Sequence, residues 1–230
     1  MLSTAVRVGA LNTMKEILAT KVDVNEKDSV GMTALHRVFE PVFTARLPPN
    51  RYAIFKELIA AGADVNAADK YGATPLMMCL WRIYGRSTGT EIVHDPRYTK
   101  RLLRAGADPN AQQYGESVFY MALKLGKYQE AAYILQAGAN PLLGDAGGCD
   151  MIGDGIFVRE ELVDLILANT TDPVALASYK DAGKKVLEGL LLILDGRPSV
   201  SVFADNGWPR KNFIADYDAS RIHALYARFC

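Results

Sequence analysis

A short phrase recurs along the chain and constrains its fold more than any other feature of the sequence. Its copies read Val-Asp-Val-Asn at 22–25, Gly-Ala-Asp-Val-Asn-Ala at 62–67, Gly-Ala-Asp-Pro-Asn-Ala at 106–111 and Gly-Ala-Asn-Pro at 138–141. A glycine follows the start of each copy after nine or ten positions, at Gly31, Gly72, Gly115 and Gly148, if Lys21 is taken as the start of the first copy. Recurrence at this spacing predicts a stack of similar units, because one such unit cannot bury its apolar face alone.

A helix start follows these glycines. It reads Thr33-Ala34-Leu35-His36, Thr74-Pro75-Leu76-Met77 and, in a weaker form, Ser117-Val118-Phe119-Tyr120. A hydroxyl side chain before an apolar run accepts hydrogen bonds from the first free amides of a helix, and Pro75 stands at the favoured first helical position. Turn phrase and helix start together resemble the β-hairpin and the T-P-L-H signature of the ankyrin repeat. The resemblance implies an all-α repeat solenoid of helix-turn-helix units joined by β-hairpin turns.

The resemblance divides the chain into two parts, residues 1–145 and residues 146–230. The first part contains about four repeats, and Gly126 is expected to separate the two helices of the fourth. Its paired helices are predicted at 2–20, 34–61, 75–105 and 118–137. Repeat glycines lie 41, 43 and 33 residues apart where the family period is 33, so insertions are expected near 40–50 and 85–95.

Residues 146–230 fit the repeat less well. A helix around 160–167 resembles the second helix of a degenerate fifth repeat, and residues 173–194 predict one long helix or two short ones. A final helix is predicted at 217–229. We interpret this part as a mostly helical C-terminal cap, with a separate functional module as the alternative.

The composition argues against several classes of partner. Lysine and arginine together number 26, as do aspartate and glutamate, so no overall field would attract nucleic acid or an anionic membrane. The longest apolar stretch, at 186–194, is far shorter than the roughly 20 residues that cross a bilayer.

Cys79, Cys149 and Cys230 are widely spaced and predict free thiols. We therefore expect a cytoplasmic protein, monomeric when free, with no cofactor.

Few residues suggest chemistry. His36 stands at the signature position whose ring, in the ankyrin family, braces a neighbouring turn, so the resemblance implies a structural role. His94 could be a ligand or a base, or it could simply precede the helix start Asp95-Pro96. Cys79 occupies a small, buried position of its repeat and predicts a packed thiol. The glycines and aspartates at 144–155 match neither a phosphate loop nor a calcium loop in spacing, so no catalytic or metal-binding residue is predicted.

The resemblance also implies where a partner would bind, because ankyrin hairpin tips and first helices form a concave surface whose variable positions make the contacts. Many matching positions carry Tyr, Trp or Arg, which dominate measured interface energies. They are Arg7, Val30, Met32, Glu40, Lys70, Tyr71, Trp81, Arg82, Tyr114, Glu116 and Lys124, with Pro41, Ala73 and Leu125 in the wider set.

The predicted function is a protein-binding module that recognises a folded partner protein, as an inhibitor, immunity factor, adaptor or effector targeting subunit. The alternative is an enzyme or effector with its active site in residues 146–230, targeted by the repeats. A pocket lined by Asp150, Asp154, Arg210 or His223 would favour that alternative. A third interpretation is a homo-oligomer built through Trp208 and the terminal helix.

Overall fold

The computed structural model describes residues 1–40, 50–80, 95–144, 156–157, 159–195 and 218–230. Most of these residues are helical, as predicted for an all-α chain. The helices are α1 Leu2–Val8, α2 Leu11–Ala19, α3 Ala34–Arg37, α4 Arg51–Ala60, α5 Pro75–Leu80, α6 Pro96–Arg104, α7 Val118–Lys124, α8 Tyr128–Gln136, α9 Glu160–Asn169, α10 Pro173–Leu194 and α11 Ala219–Phe229. Two short strands, β1 Gln112–Gln113 and β2 Glu116–Ser117, form an antiparallel hairpin that pairs Gln112 with Ser117 and Gln113 with Glu116.

The helices of the first 144 residues pack as consecutive pairs in two rows. Each of α1, α3, α5 and α7 packs against the helix that follows it, and these four also pack on one another in order. In the second row α2 packs on α4, α6 on α8, and α8 on α9. The rings of Phe55 and Tyr98, 4.9 Å apart, join α4 to α6. Leu35, Leu76 and Leu102 are among the fully buried side chains between the rows.

Side chains at the starts of three helices make capping hydrogen bonds, and two of them, Asp95 and Ser117, belong to predicted helix starts. The side chains of Asp95, Ser117 and Asp218 accept bonds of 3.0, 3.1 and 2.8 Å from amides in the first turns of α6, α7 and α11. Gly126 separates α7 from α8 with a φ of 68°, as expected. The described helices lie within or close to the predicted ranges, although α3 is only four residues long and α11 begins at Ala219. The two predicted insertions fall largely on 41–49 and 81–94, outside the described residues.

The recurring phrase forms a series of hydrogen bonds from each turn to the next, here called the asparagine ladder. Its members are Asn25, Asn66 and Asn110. Each side-chain Oδ1 accepts a bond from a backbone amide of the following turn, at Asp64, Asp108 and Asn140 over 2.7, 2.8 and 2.8 Å. Each Nδ2 donates to the carbonyl of Gly62, Gly106 or Gly138 over 3.3, 2.9 and 3.2 Å. One side-chain type thus makes the same two bonds at three successive junctions.

Of the last three helices, α9 packs on α8 at the end of the second row, and α10 and α11 pack on each other. The hydroxyl of Thr171 lies 3.4 Å from the carbonyl of Leu135, and Gln136 bonds to Asn169 over 2.7 Å, which ties this part to α8. Residues 173–194 form a single helix, α10, which settles the choice that the sequence left open. The terminal helix α11 begins at Ala219, and Tyr217 lies outside the described residues.

An aromatic cluster holds α10 and α11 together. Tyr179 lies with its ring 5.2 Å from Phe157 and 5.6 Å from Phe229, and its hydroxyl donates to the carbonyl of Ile156 over 2.7 Å. Gly183 faces the ring of Phe229 so closely that a Cβ there would lie 2.2 Å from it. None of the helices described above is both long and apolar enough to cross a membrane.

Candidate functional site

Two turns of the same construction lie before α3 and α5. In each, an aspartate, Asp28 or Asp69, accepts a backbone bond from the glycine three residues on, over 2.9 and 3.1 Å. The backbone carbonyl is the acceptor in that bond, and the side-chain carboxylate of each aspartate accepts further bonds of 2.8 to 3.0 Å from the amides two and four residues on. Gly31 and Gly72 close the turns with φ values of 78° and 81°. An aspartate and a glycine at this spacing therefore fix both turns.

The third turn is one residue shorter and differs in conformation. Tyr114 and Gly115 form a two-residue loop between β1 and β2, with φ values of 52° and 84°. Positive φ at both positions is typical of the type I′ hairpin, where asparagine and glycine are the usual residues. A tyrosine in this conformation is strained, and its side chain is 79% exposed.

The three turns contact one another and form one continuous surface, here called the tip row, which comprises residues 28–32, 69–73 and 113–116. The Lys70 amide donates to the carbonyl of Val30 over 3.1 Å, and the Gln113 side chain donates to the carbonyl of Tyr71 over 3.0 Å. A Cβ at Gly31 would lie 2.8 Å from the Lys70 amide, so the first two turns approach as closely as a glycine permits. These contacts therefore fix the position of each turn relative to the next.

Tyr71 and Tyr114 are the exposed aromatic residues of the tip row. Tyr71 is 55% exposed, and the Lys70 ammonium lies 4.8 Å from the centre of its ring. Cation–π contacts of this kind hold a ring in place at an exposed site. Tyrosines contribute large contact area at low entropic cost, which suits them to anchor a protein partner.

The ends of the first helices continue the surface beyond the tips. Lys124, at the end of α7, forms an ion pair of 2.6 Å with Glu116, and its ammonium lies 5.4 Å from the ring centre of Tyr120. Both charged side chains are partly exposed, so the pair contributes at most about 1 kcal/mol. Its consequence is to hold a cation beside the hairpin that carries Tyr114.

An open cleft of about 360 Å³ lies next to this pair, between α7, the start of α8 and the start of α9. Tyr120, Lys124 and Tyr128 line one side, and Ile156 and Arg159 line the other. Tyr128 is 43% exposed. Tyr128 is not among the predicted contact residues, because it begins a second helix, where the resemblance implies no contact position.

Other predicted contact residues have different surroundings. Arg7 is exposed at the end of α1. Val30 is partly exposed in the tip row, Met32 packs partly against the core, and Glu40 is bound by Arg37. From the wider set, Ala73 is buried and Leu125 packs partly against the core, so neither offers much contact surface. Pro41, Trp81 and Arg82 lie outside the described residues.

Arg37, the last residue of α3, links the first turn to the segment after the helix by ion pairs with Asp28 and Glu40. Burial alone would raise the pKa of Asp28, but hydrogen bonds from Arg37 and from the turn amides outweigh burial and hold that pKa below its usual value. Burial alone would lower the pKa of Arg37, and its two carboxylate partners instead raise it. Glu40 therefore has a structural role in this cluster, in place of the predicted role in partner contact.

His36 and Cys79 both make hydrogen bonds within the fold. His36 Nδ1 lies 3.1 Å from the Thr33 amide and Nε2 lies 3.1 Å from the Ala73 carbonyl, so the ring connects α3 to the next turn. Burial lowers the pKa of His36. The Cys79 thiol contacts the Leu76 carbonyl at 3.1 Å, and burial raises its pKa to about 12, which leaves it protonated and unreactive.

Chemistry of other kinds has little support in the described ranges. No group of three or more histidine, cysteine, aspartate or glutamate side chains is placed there to hold a metal ion. His223 is exposed on α11, while His94, Asp150, Asp154 and Arg210 lie outside those ranges.

The sequence matches no protein-family model, and no curated protein matches it. The function of the tip row is therefore inferred from its geometry.

Proposed function

We propose that the chain is an ankyrin-repeat solenoid that binds a folded partner protein through the tip row and the adjoining ends of its first helices. Three observations support the solenoid: the paired helices in two rows, the two turns built alike around Asp28 and Asp69, and the asparagine ladder. Such a scaffold presents an extended surface, and the fold alone does not specify what that surface binds.

The binding proposal depends mainly on the strained backbone and exposed ring of Tyr114. A tyrosine in the left-handed conformation costs roughly 1–2 kcal/mol relative to glycine, and burial of its ring does not offset this cost because the side chain is 79% exposed. Strain of this kind is found where a residue is needed for function. Tyr71 on the adjoining turn supplies a second exposed ring in the same row.

The proposed partner is a protein with a surface that accepts two aromatic anchors, and the chain acts on it by binding, as an inhibitor, adaptor or targeting subunit. The cleft beside Lys124 and Tyr128 offers space for a partner side chain next to the row. No described feature favours an active site in residues 146–230, where His223 is exposed on the surface of α11.

Site-specific photo-crosslinking tests the proposal in the full chain. Tyr114 is replaced by the photoreactive p-benzoylphenylalanine, and adducts formed in native cell extract are identified by mass spectrometry. Val174, 72% exposed on α10, takes the same residue as the matched control. We expect one protein to be crosslinked from position 114 and not from position 174.

Binding of the purified partner is then compared between wild type, Tyr71→Ala/Tyr114→Ala and Val174→Ala. The double variant should lose about 2 kcal/mol or more of binding free energy, because central aromatic anchors commonly contribute that much. Its melting temperature should not fall, since both rings are exposed. Unchanged affinity of the double variant would refute the tip row as the binding site.

A further inference from the structure

A second surface lies on the row of second helices, on α4 and α6. The side chains of Arg97, Lys100, Arg101 and Arg104 are all exposed on α6, at the spacing i, i+3, i+4 and i+7 that places them on one side of a helix. Thr99 and Leu102 on the opposite side are fully buried. Together with exposed Lys56 on α4, these four residues are here called the basic face.

Tyrosines hold part of the basic face in place. Tyr52 lies beneath Lys56 and Arg97, with 5.7 and 4.8 Å from the charged groups to the ring centre. Tyr133 on α8 lies beneath Lys100 at 5.1 Å. Because these rings restrain long, flexible side chains, less entropy is lost when the cations bind a ligand.

Among the described residues, few carboxylates neutralise this face. Asp95 pairs with Arg97 at 2.6 Å, and Glu57 on α4 pairs with Lys15 at 2.9 Å. The acidic residue of α8, Glu130, is buried. In the described part of the chain no carboxylate lies within ion-pair distance of Arg101 or Arg104, although the whole chain is neutral.

We propose that the basic face binds an acidic segment of a protein partner. Guanidinium groups pair with carboxylates through two parallel hydrogen bonds, and residues one helical turn apart, such as Lys100 and Arg104, have Cβ atoms roughly 5–6 Å apart. Carboxylates one turn apart on an acidic helix have the same spacing. The face is roughly 10 Å long, which fits a few side chains of such a segment, and its cations are too few for the many phosphate contacts that support strong nucleic-acid binding.

Fluorescence anisotropy tests the proposal with a labelled helical peptide that carries glutamates at i, i+3, i+4 and i+7, and with the same peptide in which glutamine replaces each glutamate. The full chain should bind the glutamate peptide at about 50 mM salt and bind it more weakly at 300 mM, where charges are more strongly screened. Arg101→Gln/Arg104→Gln should weaken binding roughly tenfold or more, since two charge-assisted contacts are lost. Lys180→Gln/Lys184→Gln on α10 is the control and should leave binding unchanged.

Three outcomes would overturn the proposal. They are equal binding of the glutamine peptide, wild-type affinity in the Arg101/Arg104 variant, and tighter binding of a 20-nucleotide oligothymidylate or of phosphatidylserine vesicles at the same salt concentration. Each is independent of crosslinking from Tyr114, so this proposal and the proposed function can fail separately.

Discussion

Tyr114 combines two properties that oppose each other in a turn. Its backbone adopts a conformation suited to glycine or asparagine, and its ring lies mostly in solvent. A residue selected for stability alone would be neither strained nor apolar at this position. Replacing Tyr114 should therefore stabilise the fold and weaken binding of the partner.

Tyr114→Asn makes that separation measurable. We expect the free energy of unfolding to rise by about 1 kcal/mol, because Asn-Gly is the preferred loop of a type I′ hairpin. Urea denaturation measures the change, and Tyr71→Asn, in a turn where this position has no positive φ, serves as the control. A loss of stability in Tyr114→Asn would show that the ring stabilises the fold.

His36 makes the fold sensitive to pH in a defined direction. Burial lowers its pKa below the usual value of 6.5, so the unfolded chain binds a proton at a pH where the native ring does not. Stability contributed by the neutral ring is complete above about pH 6.5 and is lost as the pH falls from there toward the native pKa. His36→Gln should be less stable at pH 7 and should show a smaller decrease between pH 7 and pH 5, measured by urea midpoints at each pH. An equal decrease in both proteins would contradict this.

Single residues also show where sequence reasoning was incomplete. The asparagine of each phrase signals its turn, because short polar side chains bond to nearby backbone. The conformation of Tyr114 left only one trace in the sequence, a spacing of nine residues in place of ten between Gly106 and Gly115. The exposure of Tyr128 left none, because it depends on helices that are distant in sequence.

At the scale of helices, local patterns were reliable guides to where most of the elements begin and end. Helices α6, α7 and α11 have side-chain caps, and α8 follows a glycine with positive φ. Contacts between helices were not predictable in this way. Nothing near Gly183 in the sequence indicates that a ring 46 residues later would lie against it.

Gly183→Ala tests that contact. Alanine favours a helix by about 1 kcal/mol over glycine, but its Cβ would lie 2.2 Å from a carbon of the buried Phe229 ring. Overpacking of this kind costs roughly 1–3 kcal/mol, so we expect a net loss of stability.

Phe229→Leu supplies the control for this prediction. Added to Gly183→Ala, it removes the clash, and the alanine should then cost less than in the wild-type background. Thermal denaturation of the four proteins of this cycle measures the coupling. Additive losses would mean that the two residues do not meet.

At the scale of the whole molecule, the proposed repeat stack predicts that stability depends on how strongly each helix pair is coupled to the next. Asn66 joins the two central turns through bonds of 2.9 Å to Gly106 and 2.8 Å from Asp108. In a linear stack each unit contacts only its neighbours, so a break at one junction affects the units on either side.

Asn66→Ala should lower the free energy of unfolding by about 1–3 kcal/mol, since two hydrogen bonds are lost, and should broaden the urea transition. Asn12→Ala, at an exposed position of α2, is the control and should have little effect. Hydrogen exchange should show the greatest change in protection in the turns at 62–67 and 106–111. A uniform change across the chain would indicate that the molecule unfolds as a single unit.

The asparagine ladder also accounts for junctions that are separated by unequal lengths of chain. The same bond from asparagine to glycine spans 37 residues at the first junction, 40 at the second and 28 at the third. The extra residues fall between the paired helices, so the turns that carry the ladder keep their register whatever the chain does in between. Insertions at 41–49 or 81–94 should therefore leave the hydrogen bonds between neighbouring turns unchanged.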